Sequence, residues 1–342
     1  MSGLLSCGNA TLWGDAGAFC ACLMKADELH ELHAEALLTA QAACGQIEKE
    51  LDLWESIDPE KVRQNARLPG GLYTGLGGLF SACRTMASAD VPGAHALCGK
   101  LLHYIVQSEA YRCPGITAAE SAAGLMLALA GMKPAKHPKA EQVLRACAEQ
   151  LLAGPWPGRA DLPYGCAGIG AALAAAYLAV KDTRYAEGAL AAFRTVQKAY
   201  SPPHNSLPNE KAGRKPAGSG GPHPAGIYLA ASGAAEYLNS FSRAAEVLTI
   251  LRQAALDRLA NRQTLLHRDS LNEGNAISVL ALLHAGKTES AGRILNTMLE
   301  RKKRNGTFIL APAGVRSTFD PSLRLGTHGI GLALLKALKT MP

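Results

Sequence analysis

The chain has 342 residues, of which 48% are hydrophobic and 18% are charged, so it has the length and composition to bury a large core. A formal net charge of +7 is too weak to indicate a nucleic-acid-binding protein, and no zinc-finger, basic-zipper or RNA-binding motif is present. No apolar stretch has the length of a membrane span, and the N-terminus lacks the regions of a signal peptide. These features predict a cytoplasmic protein without a membrane span.

One sequence pattern recurs seven times along the chain. It is a small residue, a second small residue three positions later, and then an apolar helical run, at a spacing of roughly 50 residues that is typical of repeat proteins. Only the sixth copy departs from it, because Ile277 replaces the second small residue. In chain order the copies are TLWGDAGAFCACLM at 11–24, LYTGLGGLFSACRTM at 72–86, AAESAAGLMLALAGM at 118–132, PYGCAGIGAALAAAY at 163–177, IYLAASGAAEYL at 227–238, LNEGNAISVLALLHAG at 271–286 and RLGTHGIGLALLKAL at 324–338.

A more polar, amphipathic segment lies between successive copies. Each copy and the segment after it therefore predict a helical hairpin, whose first helix is apolar on all sides and must be buried on all sides. The amphipathic helices are predicted at 30–50, 94–108, 140–152, 184–199, 242–260 and 289–302.

Seven helices buried on every side can share one interior if they form an inner ring with the amphipathic helices outside. The sequence thus predicts an all-α fold, an α/α toroid of about seven inner and seven outer helices, as a single domain over residues 1–342. An open solenoid is the alternative, but it needs polar caps, and the last copy ends in an apolar helix without one. The stretch at 200–224 is rich in Pro, Gly and Ser and predicts a flexible loop, which would serve as a lid, as a dock for an acidic leader peptide or as a plain linker.

The glycines of the repeat have two predicted roles. At the start of a buried helix they permit a tight turn with positive φ, and they let the inner helices crowd near the axis. The free N–H groups of seven helix starts would then converge on one end of the ring and make an electropositive mouth.

Three stretches carry a resemblance to a known family. PYGCAGI at 163–169, LNEGNAISVLALL at 271–283 and PSLRLGTHGIGLALLKAL at 321–338 resemble signature motifs of the lanthionine synthetase C-like (LanC-like) cyclases, and the likeness extends over nearly the whole chain. The resemblance implies a helical toroid that adds a cysteine thiol of a precursor peptide across a dehydroalanine or dehydrobutyrine. In zinc-dependent members two Cys and one His hold Zn²⁺, which presents the thiol as a thiolate.

The matching positions of this chain do not carry those zinc ligands. Asn272 and Glu273 stand where the family has its Cys-His pair, and Tyr228 stands where it has its other Cys. Neither Asn nor Tyr replaces a thiolate, and the nine cysteines are scattered without a C-x-x-C pair. We therefore predict a divergent LanC-like protein with no metal and no cofactor.

The residue just before the first small residue of each copy is predicted to lie at the mouth. We predict Glu273 and Tyr164 to handle the protons of a thiol addition, with His328 as a further acid or base. The competing interpretations are that Glu273 caps a helix, that Tyr164 packs with its hydroxyl on a carbonyl, and that His328 is structural.

A second group of residues is predicted to contact substrate: Glu120, Asn272, Tyr228, His223 and Cys166. The pattern also allows Glu120 to satisfy a helix start and Cys166 to be a small core residue, although a helix N-terminus would lower the pKa of the Cys166 thiol. For Asp15 we predict a first-turn position that matches the helix dipole.

Three functions remain open from the sequence. The first is zinc-independent action on a dehydrated, ribosomally made precursor peptide of the lanthipeptide or linaridin type, as the resemblance implies. Thioether cyclisation is one form that this action could take. The second is a non-catalytic subunit that binds precursor peptide or a partner modifying enzyme, such as a kinase/lyase, a dehydratase or another tailoring protein. The third is an unrelated α/α-toroid enzyme acting on carbohydrate, whose site would gather several carboxylates.

Overall fold

The computed structural model describes residues 8–57, 68–73, 75–132, 137–200, 223–260, 266, 268–271, 274–310, 322 and 326–341. These residues form thirteen α-helices and, within the same ranges, no strand. None of the described helices combines the length and apolar character needed to cross a bilayer. The predicted flexible loop at 200–224 falls outside the described residues over 201–222.

The odd-numbered helices form an inner ring. They are α1 (Gly8–Leu23), α3 (Leu76–Ala87), α5 (Ala122–Leu129), α7 (Cys166–Val180), α9 (Pro224–Tyr237), α11 (Asn275–His284) and α13 (Thr327–Thr340). Each packs against the next, and α13 packs back against α1, so the ring is closed. At this closure the rings of Phe19 and His328 stack with centroids 5.0 Å apart. The α/α toroid is confirmed, and the open solenoid is wrong.

The even-numbered helices lie outside the ring. They are α2 (His33–Glu55), α4 (Ala94–Gln107), α6 (Pro138–Ala153), α8 (Thr183–Tyr200), α10 (Ser242–Ala260) and α12 (Thr288–Asn305), and each packs on the inner helix before it. Their bounds agree with the predicted segments to within a few residues, because amphipathic period is a strong signal in long helices.

Small side chains allow the two layers to approach closely. In α7 every residue from Cys166 to Ala176 is buried, as expected for a helix covered on all sides. A Cβ placed on Gly170 would lie 2.8 Å from the ring of Phe193 on α8. The aromatic ring of the outer helix therefore fills the space that the missing side chain leaves.

Two of the seven repeats differ from the prediction. In the first copy, α1 already runs from Gly8, so Gly14 and Gly17 lie inside the helix and pack against α3 rather than opening it. In the fifth copy, α9 begins at Pro224, so Gly233 lies well inside the helix with nothing within 4 Å of a Cβ placed on it. The start of this inner helix is instead formed by His223, its N-cap, and Gly226, because Pro at the first helical position favours a helix start there.

Candidate functional site

The loops that precede successive inner helices lie side by side at one end of the ring. Backbone hydrogen bonds join them: Leu72 N–H donates to Ala118 O (3.0 Å), Tyr73 N–H to Ala119 O (3.1 Å) and Ala119 N–H to Pro163 O (2.8 Å). The starts of α3, α5 and α7 are thereby gathered at this end, as the sequence predicts.

The first amides of three inner helices are not free, which corrects the predicted electropositive mouth. At α3, α7 and α11 the first helical N–H donates to a carbonyl seven residues upstream, because the preceding loop folds back over the helix start. These bonds are Leu76 to Pro69 (2.8 Å), Cys166 to Arg159 (2.8 Å) and Asn275 to Arg268 (2.9 Å). A buried, unpaired N–H is costly, and the loop removes that cost.

The glycines at these helix starts are also needed for a different reason than the one predicted. Gly165 and Gly274 are N-caps with φ of −123° and −117°, which any residue adopts, so no positive φ is required. A Cβ on Gly165 would lie 2.5 Å from Asp161 N and 2.6 Å from Arg159 O. Glycine is required because the folded-back loop passes too close for a side chain.

A cavity of about 260 Å³ lies inside the ring below these loops. Its walls come from α1, α3, α13 and the loops before α3 and α11, and its polar groups are Asp15, Tyr73, Ser81, Thr85 and Cys22. The predicted first-turn position of Asp15 is wrong, because α1 begins well before it and has no acidic residue in its first turn. A carboxylate, a phenol and two hydroxyls around one cavity can bind a polar backbone and move protons.

Tyr164 is held at the same end by its own loop. Its backbone N–H donates to Asp161 Oδ1 (2.7 Å), and the Arg159 guanidinium lies 5.5 Å from its ring centroid. Arg159 Nε also donates to Asp161 Oδ2 (2.6 Å), so one buried carboxylate orders the whole turn. Glu120 lies on the adjacent loop and is exposed.

The remaining predicted residues are placed apart from one another. His328 is half-buried at the start of α13 against α1. His223 caps α9, where its Nδ1 accepts from Ala225 N–H (3.2 Å). Tyr228 is not at a helix start: it is buried in the second turn of α9, and its hydroxyl lies 3.4 Å from Nδ1 of His284, the last residue of α11.

Cys166 is a buried thiol that donates to Pro157 O (3.2 Å). Burial raises the pKa of the Cys166 thiol, and the negative charge of Asp161 raises it further. The expected lowering by the helix N-terminus is therefore wrong, and this cysteine is a small core residue.

Asn272 and Glu273 lie outside the described residues, but the turn beside them is anchored by a buried network. Asp269 is fully buried; its Oδ1 accepts from Arg301 (2.6 Å) and from Asn275 Nδ2 (2.8 Å), and its Oδ2 accepts from Ile309 N–H (3.1 Å). The sequence did not reveal this network, because its members are far apart in the chain and belong to no motif.

The described residues do not fit the zinc site that the resemblance raises. Among the ranges given above, no group of three or more His, Cys, Asp or Glu side chains is arranged to hold a metal ion. Tyr228, at one matching position, points to the end of α11 and offers no thiolate.

Comparison with known proteins supports the architecture. No family model matches the sequence, and no curated protein matches it either. Among solved structures, nisin cyclase is similar with a TM-score of 0.55 and 15% sequence identity, over 94% of this chain and 89% of that one. The chain therefore shares the helical toroid fold of nisin cyclase.

Proposed function

We propose that this chain is a LanC-like protein of ribosomal peptide biosynthesis that acts on a dehydrated precursor peptide and forms thioether rings without zinc. The observation that carries the proposal is the cavity inside the closed ring, in which Asp15 and Tyr73 face the same space. The likeness in fold to nisin cyclase supports it further.

The reaction needs one proton removed and one returned. A base takes the proton of the precursor's cysteine thiol, and the sulfur attacks the β-carbon of a dehydroalanine. The electrons of the C=C bond move to the neighbouring carbonyl oxygen as an enolate, and an acid then protonates the α-carbon. One S–H and one C=C π bond are lost, one C–S and one C–H bond form, and no oxidant is required.

The groups of this chain divide those tasks. Asp15 is the proposed base within the cavity, and Tyr73 donates a hydrogen bond to the enolate oxygen. Glu273, Tyr164 and His328, predicted from the sequence, are proposed as the acids that return the proton from the surrounding helix starts.

The peptide contacts come from the loops at the same end. Glu120, Asn272 and His223 are proposed to bind the precursor backbone around the mouth. Tyr228 and Cys166 are left out, because the first points to the end of α11 and the second bonds its own loop.

The test is cyclisation of a synthetic peptide that contains one dehydroalanine and one cysteine, followed as loss of the peptide thiol in the presence of a metal chelator. Asp15→Asn is expected to slow the reaction by about 100-fold or more, the usual contribution of a general base. Glu187→Gln removes a carboxylate from the exposed face of outer helix α8 and is the control expected to leave the rate unchanged. An equal rate in Asp15→Asn, or loss of activity on chelation, would contradict the proposal.

A non-catalytic, peptide-binding subunit is the second candidate, favoured by Tyr228, which stands at a position matching a zinc-binding Cys and is buried with its hydroxyl 3.4 Å from Nδ1 of His284. It predicts that a fluorescent form of the same peptide binds with full occupancy and loses no thiol. Carbohydrate hydrolysis is disfavoured, because Asp15 is the single carboxylate that lines the cavity in the described part of the chain, and such enzymes generally use two.

A further inference from the structure

A second cavity opens at the opposite end of the ring, where α1, α11 and α13 end. Its volume is about 400 Å³, and α9 completes its wall. Cys22 and Leu332 line both cavities, so the two spaces lie on either side of these side chains. The proposed reaction uses the first cavity and assigns no role to this second one.

The walls of this second cavity are apolar. Leucines from three inner helices line it: Leu229 on α9, Leu280 on α11, and Leu332 and Leu335 on α13. The volume falls within the range of small-molecule sites, which are mostly apolar with a few polar groups that fix orientation. The cavity therefore has the shape and surface to take an apolar group.

The edge of the cavity is positively charged. Lys25 follows α1, and Lys336 and Lys339 lie in the last turns of α13. Lys25 Nζ donates to Ser88 Oγ (2.8 Å) and Lys339 Nζ to the carbonyl of Lys25, but none of the three forms an ion pair with a carboxylate in the described part of the chain. Three ammonium groups around one apolar space favour a negatively charged occupant.

Lysines near a helix C-terminus also balance the helix dipole, and α12 carries basic residues at the same place. Its last turn carries Lys302, Lys303 and Arg304. At the end of α13 the same charges face an apolar cavity, so they combine charge with a place for an apolar group. A lysine that only balances the helix dipole does not require an apolar cavity beside it.

We propose that this second cavity binds a carboxylate attached to an apolar group, with the apolar part between the leucines and the carboxylate at Lys336 and Lys339. His284 and Lys25 complete the polar edge. The ligand is either a free aliphatic acid or the C-terminus of a peptide that ends in an apolar residue. This proposal does not depend on the proposed function.

The test uses the intact protein and calorimetric titration with octanoate and with octanamide, its uncharged counterpart. Octanoate is expected to bind with a stoichiometry of one, about tenfold tighter than octanamide, and more weakly at high salt. Lys336→Gln is expected to weaken octanoate binding at least about fivefold, as the loss of one charge contact. Lys303→Gln, which removes a lysine from the end of α12, is the matched control and is expected to leave binding unchanged.

A second pair of titrations separates the two sources of the ligand. A short peptide ending in leucine is compared with its C-terminally amidated form. If the acid form binds and competes with octanoate, the ligand is a peptide C-terminus; if only octanoate binds, it is a free acid. Absence of octanoate binding, equal affinity for octanoate and octanamide, or equal loss in Lys336→Gln and Lys303→Gln would overturn the proposal.

Discussion

Two glycine-to-alanine substitutions distinguish a glycine that is required for steric reasons from a glycine that only lowers helix propensity. The sequence pattern predicts both glycines at helix starts, Gly165 as the first small residue of its copy and Gly233 as the second of its own, but the structure places only Gly165 at a helix start. A Cβ on Gly165 would lie 2.5–2.6 Å from three backbone atoms of its own loop, whereas a Cβ on Gly233 meets nothing within 4 Å. Backbone atoms cannot rotate away as the end of a side chain can, so the loop before α7 must move.

The size of the effect follows from this geometry. Forcing a methyl group into a packed site costs about 1–3 kcal/mol, and moving the loop also weakens the 2.8 Å bond from Cys166 N–H to Arg159 O. We expect Gly165→Ala to lower the free energy of unfolding by about 2–3 kcal/mol. Gly233→Ala is expected to raise it by about 0.5–1 kcal/mol, because alanine is the better helix former.

Urea denaturation of both variants and the parent measures these changes, with equal m-values required for comparison. Opposite signs are expected. A shift of the same sign and size in both variants would refute the folded-back loop as the reason for glycine, since only Gly165 of the two has backbone atoms within reach of an added Cβ.

Three further predictions test the network, the core and the site. Asp269→Asn is expected to lower the free energy of unfolding by about 3–5 kcal/mol, because it leaves the mostly buried Arg301 guanidinium without its carboxylate. Lys100→Gln, which breaks an exposed ion pair, is expected to cost under about 1 kcal/mol, and urea denaturation measures both changes. Burial raises the pKa of the Cys147 thiol from 9.0 to about 12, so unfolding releases its proton above pH 9 and stability falls as pH rises. Cys147→Ala should make that fall shallower by up to about 1.4 kcal/mol per pH unit, and parallel curves would contradict the assignment. Tyr164→Phe and Glu273→Gln, both folded, are expected to cyclise the dehydroalanine peptide more slowly, and wild-type rates in both would remove these residues from the mechanism.

The ring could be predicted because the sequence of each inner helix is apolar on all sides. An apolar run such as α7 has no polar face, so it needs neighbours all round, and seven such runs imply a shared interior. The amphipathic outer helices follow from their period in the same way.

The details of the helix starts were less predictable. A small residue followed by another three positions later marks a helix start at Gly165, but the same spacing occurs inside α1 at Gly14 and Gly17, where glycine serves helix packing. The sequence does not distinguish these cases, because both require only the absence of a side chain. The pattern does not predict the start of α9 at His223, because a capping histidine and a proline replace the usual small residue.

The positions of Asp15 and Tyr73 in the cavity could not be predicted from the sequence. Which side chains reach the interior depends on how far each inner helix is rotated and shifted along the axis, and no local pattern fixes that. The network around Asp269 joins residues from three separate stretches, so its members are related only after folding.

Closure of the ring is tested most directly by lysine crosslinking of the unmodified protein, followed by mass spectrometry of its peptides. Lys25, beyond the end of α1, and Lys339, at the end of α13, lie in contact across the closure. We expect an abundant Lys25–Lys339 crosslink within single chains, identified by mixing isotope-labelled and unlabelled protein. A crosslink found only between chains, or none at this pair while exposed Lys100 and Lys303 react normally, would contradict a closed ring.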